Sequence, residues 1–242
     1  MSETMILKAL VGSRAHGLER PESDYDYRGV FVLPTREFHT IGTKPKSVIW
    51  IESDEDNTAH EIGEFLNLAL KSNPSILETL ASPKYTADRF GMELRLLFDD
   101  LWTPAAAVEA FTGYSKNQMI KFFDGSLPAQ RRNKFAVAWL RSLWQCRRLL
   151  DTGYLPVYVD DQDFRSHLRA IKEHTDPMSS GLASLVVRMA EDFKVQINEK
   201  LAKHPDKDKK PDPTKANEFL WRVRQEFVYP REQSLLLNGY CF

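Results

Sequence analysis

An apolar run, Met5 to Val11, breaks off at Gly12-Ser13, and a ten-residue spacer then leads to Asp24-Tyr25-Asp26 at the head of a second apolar run, Val30 to Leu33. That order constrains the chain more than any other stretch. A seven-residue apolar run ended by glycine reads as a buried strand and a tight turn. Pro21 marks the spacer as a loop, and Pro34 stops the second run. If Asp24 to Leu33 is extended, side chains alternate between faces, so Asp24 and Asp26 point the same way about 6.6 Å apart along the backbone. Two carboxylates on one face converge on a hard cation, which prefers oxygen ligands. A Gly-Ser turn beside them offers backbone N–H groups and a hydroxyl to a phosphate. Together they are equipment for nucleotidyl transfer, in which two metals steady the attacking and leaving oxygens.

The rest of the first hundred residues reads as mixed α/β. Lys46 to Glu52 is rich in β-branched and aromatic residues and is expected to be a third strand, followed by an acidic stretch, Glu52 to Asp56. From Glu61 to Ser72 the apolar spacing turns helical, and Asn73-Pro74 caps and starts a further helix. Beyond Asp88 the period stays helical: Arg89–Leu101, 105–123, 130–151, 164–174, 182–201 and a last helix, 216–227. Lys203 to Lys215 is a charged, proline-rich loop. The expected class is α+β, a mixed sheet flanked by helices and followed by a helical C-terminal region, with a catalytic core over 1–84 and a helical domain over 85–242.

Composition narrows the classes. The 242 residues are 42% hydrophobic with a formal net charge of −1, so the overall balance does not announce a nucleic-acid binder. Cys146 and Cys241 have neither metal nor redox spacing. No apolar run approaches the ~20 residues that span a bilayer, and the start lacks a basic leader, so the expectation is a cytoplasmic protein with no membrane partner.

Several residues have two readings. A third carboxylate normally completes such a site and can serve as general base. Asp56 is the first choice, with Glu61 and Asp54 as alternatives. Ser13 binds a phosphate or caps the short helix after it. Arg14 and Arg28 suit phosphate by charge and bidentate geometry, and Arg28 alternatively pairs with the aspartates. His16 reads as a local loop contact, and Ser23 as orienting Asp24 or the turn. Lys134, Arg141 and Arg148 recur every seven residues on one helix. They form either a stripe that tracks phosphates or a solvated basic face. Tyr114, Lys116, Gln118 and Lys121 on the preceding helix would line the same cleft. Trp139, Trp144, Phe135 and Phe111 read as core.

The run GSRAHGLERPESDYDYRGVFVLP resembles the polymerase-beta-like nucleotidyltransferase superfamily, and more narrowly the predicted nucleotidyltransferases associated with RNA ligases. Gly12, Ser13, Arg14, Gly17, Ser23, Asp24, Asp26, Arg28 and Gly29 carry the match. It continues through Phe65, Leu68, Leu70, Asn73, Pro74 and Glu78, then Gly113, Tyr114 and Gln118, then Arg141, Leu149, Leu150 and Gly153. The resemblance implies a helical region that closes the cleft and divalent metals, Mg²⁺ or Mn²⁺, on Asp24 and Asp26 with a third acid assisting. It implies an NTP substrate and an RNA-processing or repair context. Alternatives are nucleotidylation of a protein or small molecule, and an inactive module that binds nucleotide or RNA.

Overall fold

The computed structural model describes residues 3–42, 44–51, 54–176 and 180–229, with backbone alone at 54–56 and 180. The chain divides into two compact units, one of residues 1–102 and 211–242 and the other of 103–210. The mixed sheet, its flanking helices and the helical region after them are as the sequence led us to expect. The expected division near residue 84 is not where the units part. The chain re-enters the sheet unit at its end, because the last helix carries Phe219 and Val223 into the sheet's core.

The sheet has the order β3-β4-β2-β1-β5, with β1 Thr4–Val11, β2 Asp26–Val32, β3 Val48–Ile51, β4 Asp54–Glu61 and β5 Tyr85–Ala87. Every neighbouring pair is antiparallel except β2 and β4. Two elements correct the sequence reading. The acidic stretch that follows the third strand is given no strand of its own by the sequence, yet from Asp54 it runs straight into a strand beside β2. Pairing of Asp54 with Ile51 on β3, and of Thr58 to Glu61 with β2, overrides the poor strand propensity of aspartate. Tyr85–Ala87, expected to open the helical domain, adds a short edge strand to β1. The second strand also begins later than expected, at Asp26, leaving Asp24 in the preceding loop.

Around the sheet lie α1 (Gly12–His16), α2 (Ile62–Leu70), α3 (Pro74–Ala81), α4 (Arg89–Leu96) and α9 (Thr214–Glu226). Alternation on β2 divides the core. Val30 and Val32 face a large cluster with Leu7, Ile62, Phe65, Leu94, Phe219 and Phe227, whereas Phe31 and Leu33 face a small one with Ile51 and Ala59. Gly29 is buried between neighbouring strands. A methyl there would stand 2.9 Å from the Leu7 carbonyl and 2.8 Å from Met5 Sδ, so the Arg-Gly pair needs its glycine for packing.

The second unit contains α5 (Pro104–Phe123), α6 (Ala129–Thr152), α7 (Gln162–Glu173) and α8 (Ser180–Lys203). Trp139, Trp144 and Phe111 are core, as expected. Phe135 is half-buried under Lys121. Cys146 is buried, which pushes its thiol up to about 12 and keeps it a packing group. No helix among the described residues is long and apolar enough to cross a membrane.

Candidate active site

The turn after β1 and the start of β2 meet at one corner of the sheet. Val11 pairs with Asp26 across the antiparallel ladder. Gly12 follows at φ +70°, a conformation that glycine adopts without penalty. Asp26 leans directly on that glycine: a methyl on Gly12 would lie 1.9 Å from Oδ2, 2.8 Å from Cγ and 2.9 Å from Cβ of Asp26. The corner thus requires glycine twice, for its backbone angle and for the carboxylate beside it. Gly12→Ala should be destabilised by more than the ~1–2 kcal/mol of the left-handed strain alone. Asp26→Ala should recover part of the loss by removing the two closest atoms. Thermal denaturation of the three variants checks this; equal melting of Gly12→Ala and the double variant would contradict the clash.

Ser13 lies inside α1, whose N-cap is Val11, so it does not cap that helix. Its carbonyl instead accepts a hydrogen bond from Leu18 N at 2.9 Å. Arg14 is committed to the loop. Its Nε donates to the Ser23 carbonyl at 2.9 Å, Nη2 donates to the Pro21 carbonyl at 3.2 Å, and the guanidinium lies 4.1 Å from the Tyr25 ring centroid. Ser23 Oγ accepts from Arg20 N at 2.8 Å, closing the turn, as one sequence reading expected. These bonds fix the spacer's approach to Asp24, which is exposed. His16 is not a local contact: its Nε2 stands 2.5 Å from Glu78 Oε1 on α3, a buried link across 62 positions that pins the turn's helix to the core.

The parallel neighbour β4 supplies the next position. Arg28 pairs with Thr58, an offset of 58 − 28 = 30. Position 56 precedes by two residues the first β4 residue paired with β2, as Asp26 precedes Arg28. Asn57 Oδ1 accepts a hydrogen bond from Tyr27 N at 2.5 Å, tying the two strands together. Sequence reading missed Asn57, because nothing in a lone asparagine within an acidic stretch signals a cross-strand clamp. The side chains of Asp54 and Asp56 lie outside the described residues. Glu61 is occupied: Oε2 accepts from Gly63 N at 2.8 Å, capping α2, and from Arg224 Nη2 at 2.8 Å, while Oε1 stands 2.7 Å from Arg224 Nη1. No group of three or more metal-binding side chains forms among the described residues.

Arg28 lies on the same sheet face as Asp26. It also acts on His60: burial first, and then the Arg28 guanidinium, hold that imidazole below the ordinary histidine range. His60 Nδ1 is buried and takes no hydrogen bond among the described residues.

The basic residues of α6 are not one solvated stripe. Lys134 is exposed, Arg141 is buried with Nη1 donating to Gln145 Oε1 at 2.9 Å, and Arg148 pairs with Asp160 at 3.1 Å. On α5, Gln118 is buried, whereas Lys116 is exposed. Lys116 and Arg141 belong to the helical unit and not to the unit that carries the Gly12–Asp26 corner.

Residues 2–222 match the model of the RNA repair pathway DNA polymerase beta family, RlaP. The chain belongs to this family. The match runs through the helical unit and through the sheet unit as far as residue 222. An uncharacterized protein of Bacillus subtilis strain 168, YcgL, is 30% identical over 149 residues, 60% of this chain. The aligned part spans 56% of that relative. No solved structure matches the chain.

Proposed function

We propose that this RlaP-family chain is a metal-dependent nucleotidyltransferase that moves a nucleoside monophosphate from an NTP to an acceptor hydroxyl, with an RNA end as the acceptor. The observation that carries the reading is the Asp26 carboxylate seated on Gly12. It sets an anionic oxygen against the turn whose amides would take the nucleotide's phosphates. Family membership supplies the reaction class and the RNA-repair setting.

The donor set fits a hard divalent cation. Asp24 and Asp26 are carboxylates two residues apart, the first in the loop and the second at the head of β2, and Asp56 lies on the neighbouring strand β4, two residues before the Thr58 pairing. Mg²⁺ or Mn²⁺ held there would neutralise the phosphates and acidify the acceptor hydroxyl. Asp24 and Asp26 would hold it, and Asp56 would accept the hydroxyl proton. Glu61 is a poorer third ligand than Asp56, since its oxygens already serve Gly63 and Arg224. The Gly12-Ser13 amides and the Ser13 hydroxyl would donate to phosphate oxygens. Arg28, on the Asp26 face, would balance the triphosphate's charge. Arg14 serves the site at one remove, by holding the loop that delivers Asp24.

The test offers each of the four NTPs, with Mg²⁺ or Mn²⁺, to an RNA pool and measures product mass. The expected result is RNA longer by one or more nucleotides, lost when the divalent metal is chelated. Label transferred to protein or a small molecule, with RNA unchanged, would overturn the acceptor; no transfer to any acceptor would overturn the activity.

A further inference from the structure

β3 is an edge strand, and it carries Trp50. Trp50 pairs with Thr58 on β4, and Thr58 pairs with Arg28 on β2. Directly opposed residues project from the same face of a sheet. The indole, the threonine hydroxyl and the guanidinium therefore share one face, and Asp26, two residues before Arg28, shares it too. Two strand spacings, about 10 Å, separate the backbones of Trp50 and Arg28. Trp50 is 55% exposed, whereas Trp139 and Trp144 are 1% exposed. Its neighbours Ile49 and Ile51 alternate to the opposite face, where they join the small cluster with Phe31 and Ala59. β3 thus packs its isoleucines into the small cluster and leaves Trp50 more than half exposed. Among the described residues neither core cluster beside the sheet includes Trp50, and it stands on an edge where exposed apolar groups invite aggregation.

We propose that Trp50 is a stacking platform for a nucleobase, that of the incoming nucleotide or of the acceptor's terminal residue. The inference rests on the nucleotidyl-transfer reading. The order of groups along the face argues for it. From the Gly12 corner toward the edge come carboxylate, guanidinium, hydroxyl and indole. That sequence suits phosphate and metal at one end, sugar in the middle and base at the other. An indole accepts any base on its π-face, so the platform is sequence-tolerant.

The test uses the full chain with Trp50→Ala and Trp50→Phe. Equilibrium binding is measured in separate arms with each NTP and with a short single-stranded RNA, and steady-state kinetics are run with the same ligands. Trp50→Ala should weaken binding in one arm by about 5- to 150-fold, the range expected for loss of one base–aromatic stack. The arm that responds identifies which base is held. Trp50→Phe should restore most of the affinity, and kcat should change much less than KM. Ligand should quench the indole emission of the wild-type protein, and Trp50→Phe should lose that quenching while still binding. This second readout stands even if the alanine variant folds poorly. Unchanged affinity in both arms, with no quenching traceable to Trp50, would overturn the proposal. So would unchanged affinity with a shift in oligomeric state, which would assign the edge to self-association. Binding through Trp50 without any transfer would refute the nucleotidyltransferase reading alone, whereas transfer unaffected by Trp50→Ala would refute the platform alone.

Discussion

Asp26→Ala is expected to lose nucleotidyl transfer by on the order of 10³-fold or more, because a lost metal carboxylate forfeits several kcal/mol of transition-state stabilisation. The fold should survive, since Asp26 is half-buried at a strand end and not in the core. Asp24→Ala should fall comparably, with even less effect on stability, because Asp24 is exposed in a loop. Purified variants with wild-type circular dichroism and full activity would remove these residues from the site. Gly12→Ala supplies an internal check. It leaves both carboxylates in the sequence but drives a methyl into Asp26, and a displacement of that kind costs ~10²-fold. Combined with Asp26→Ala it should add little further loss of activity, since both changes act through one side chain.

The largest stability effect is expected at Arg224. Its guanidinium meets Glu61 through both nitrogens, packs 4.1 Å from the Phe38 ring centroid, and reaches a carboxylate that is 3% exposed. Forming such a pair gains little net free energy, because desolvation offsets attraction. Breaking it is different: Arg224→Ala strands a buried charge at the N-terminus of α2 and should cost ~3–5 kcal/mol. Urea denaturation should show this as a lower midpoint with an unchanged slope. The double variant Glu61→Gln/Arg224→Met, which removes both charges while Gln can still cap α2, should recover much of the loss. A loss below ~1 kcal/mol for Arg224→Ala would mean that the pair is effectively solvated. Transfer activity at temperatures well below unfolding should persist in the double variant, since Glu61 is a cap and an ion-pair partner.

The two predictions separate the acids of this region by what surrounds them. In the sequence, Asp54, Asp56 and Glu61 are interchangeable candidates for a third carboxylate. The structure distinguishes Glu61 by a partner 163 residues away, Arg224, and by its place at the end of β4. Position 56 instead lies two residues before Thr58, the first β4 residue that pairs with β2. His16 shows the same limit. Local sequence offers it only a loop, and its partner Glu78 becomes visible once α3 packs beside β1.

What the sequence by itself determined is the local chemistry with short reach. The Met5–Val11 strand, the glycine turn, the Asn73 cap that accepts from Ser75 N and Ile76 N, and the helical periods of the C-terminal half all follow from neighbours a few residues apart. The family resemblance rested on the same short motifs. Only the tertiary structure decided which acid is occupied, that the acidic stretch is a strand, that Arg14 braces a loop and Arg141 is buried, and that the last helix returns to the sheet. Each of those outcomes depends on a partner distant in sequence, and residue type and spacing carry no record of where a distant partner will be.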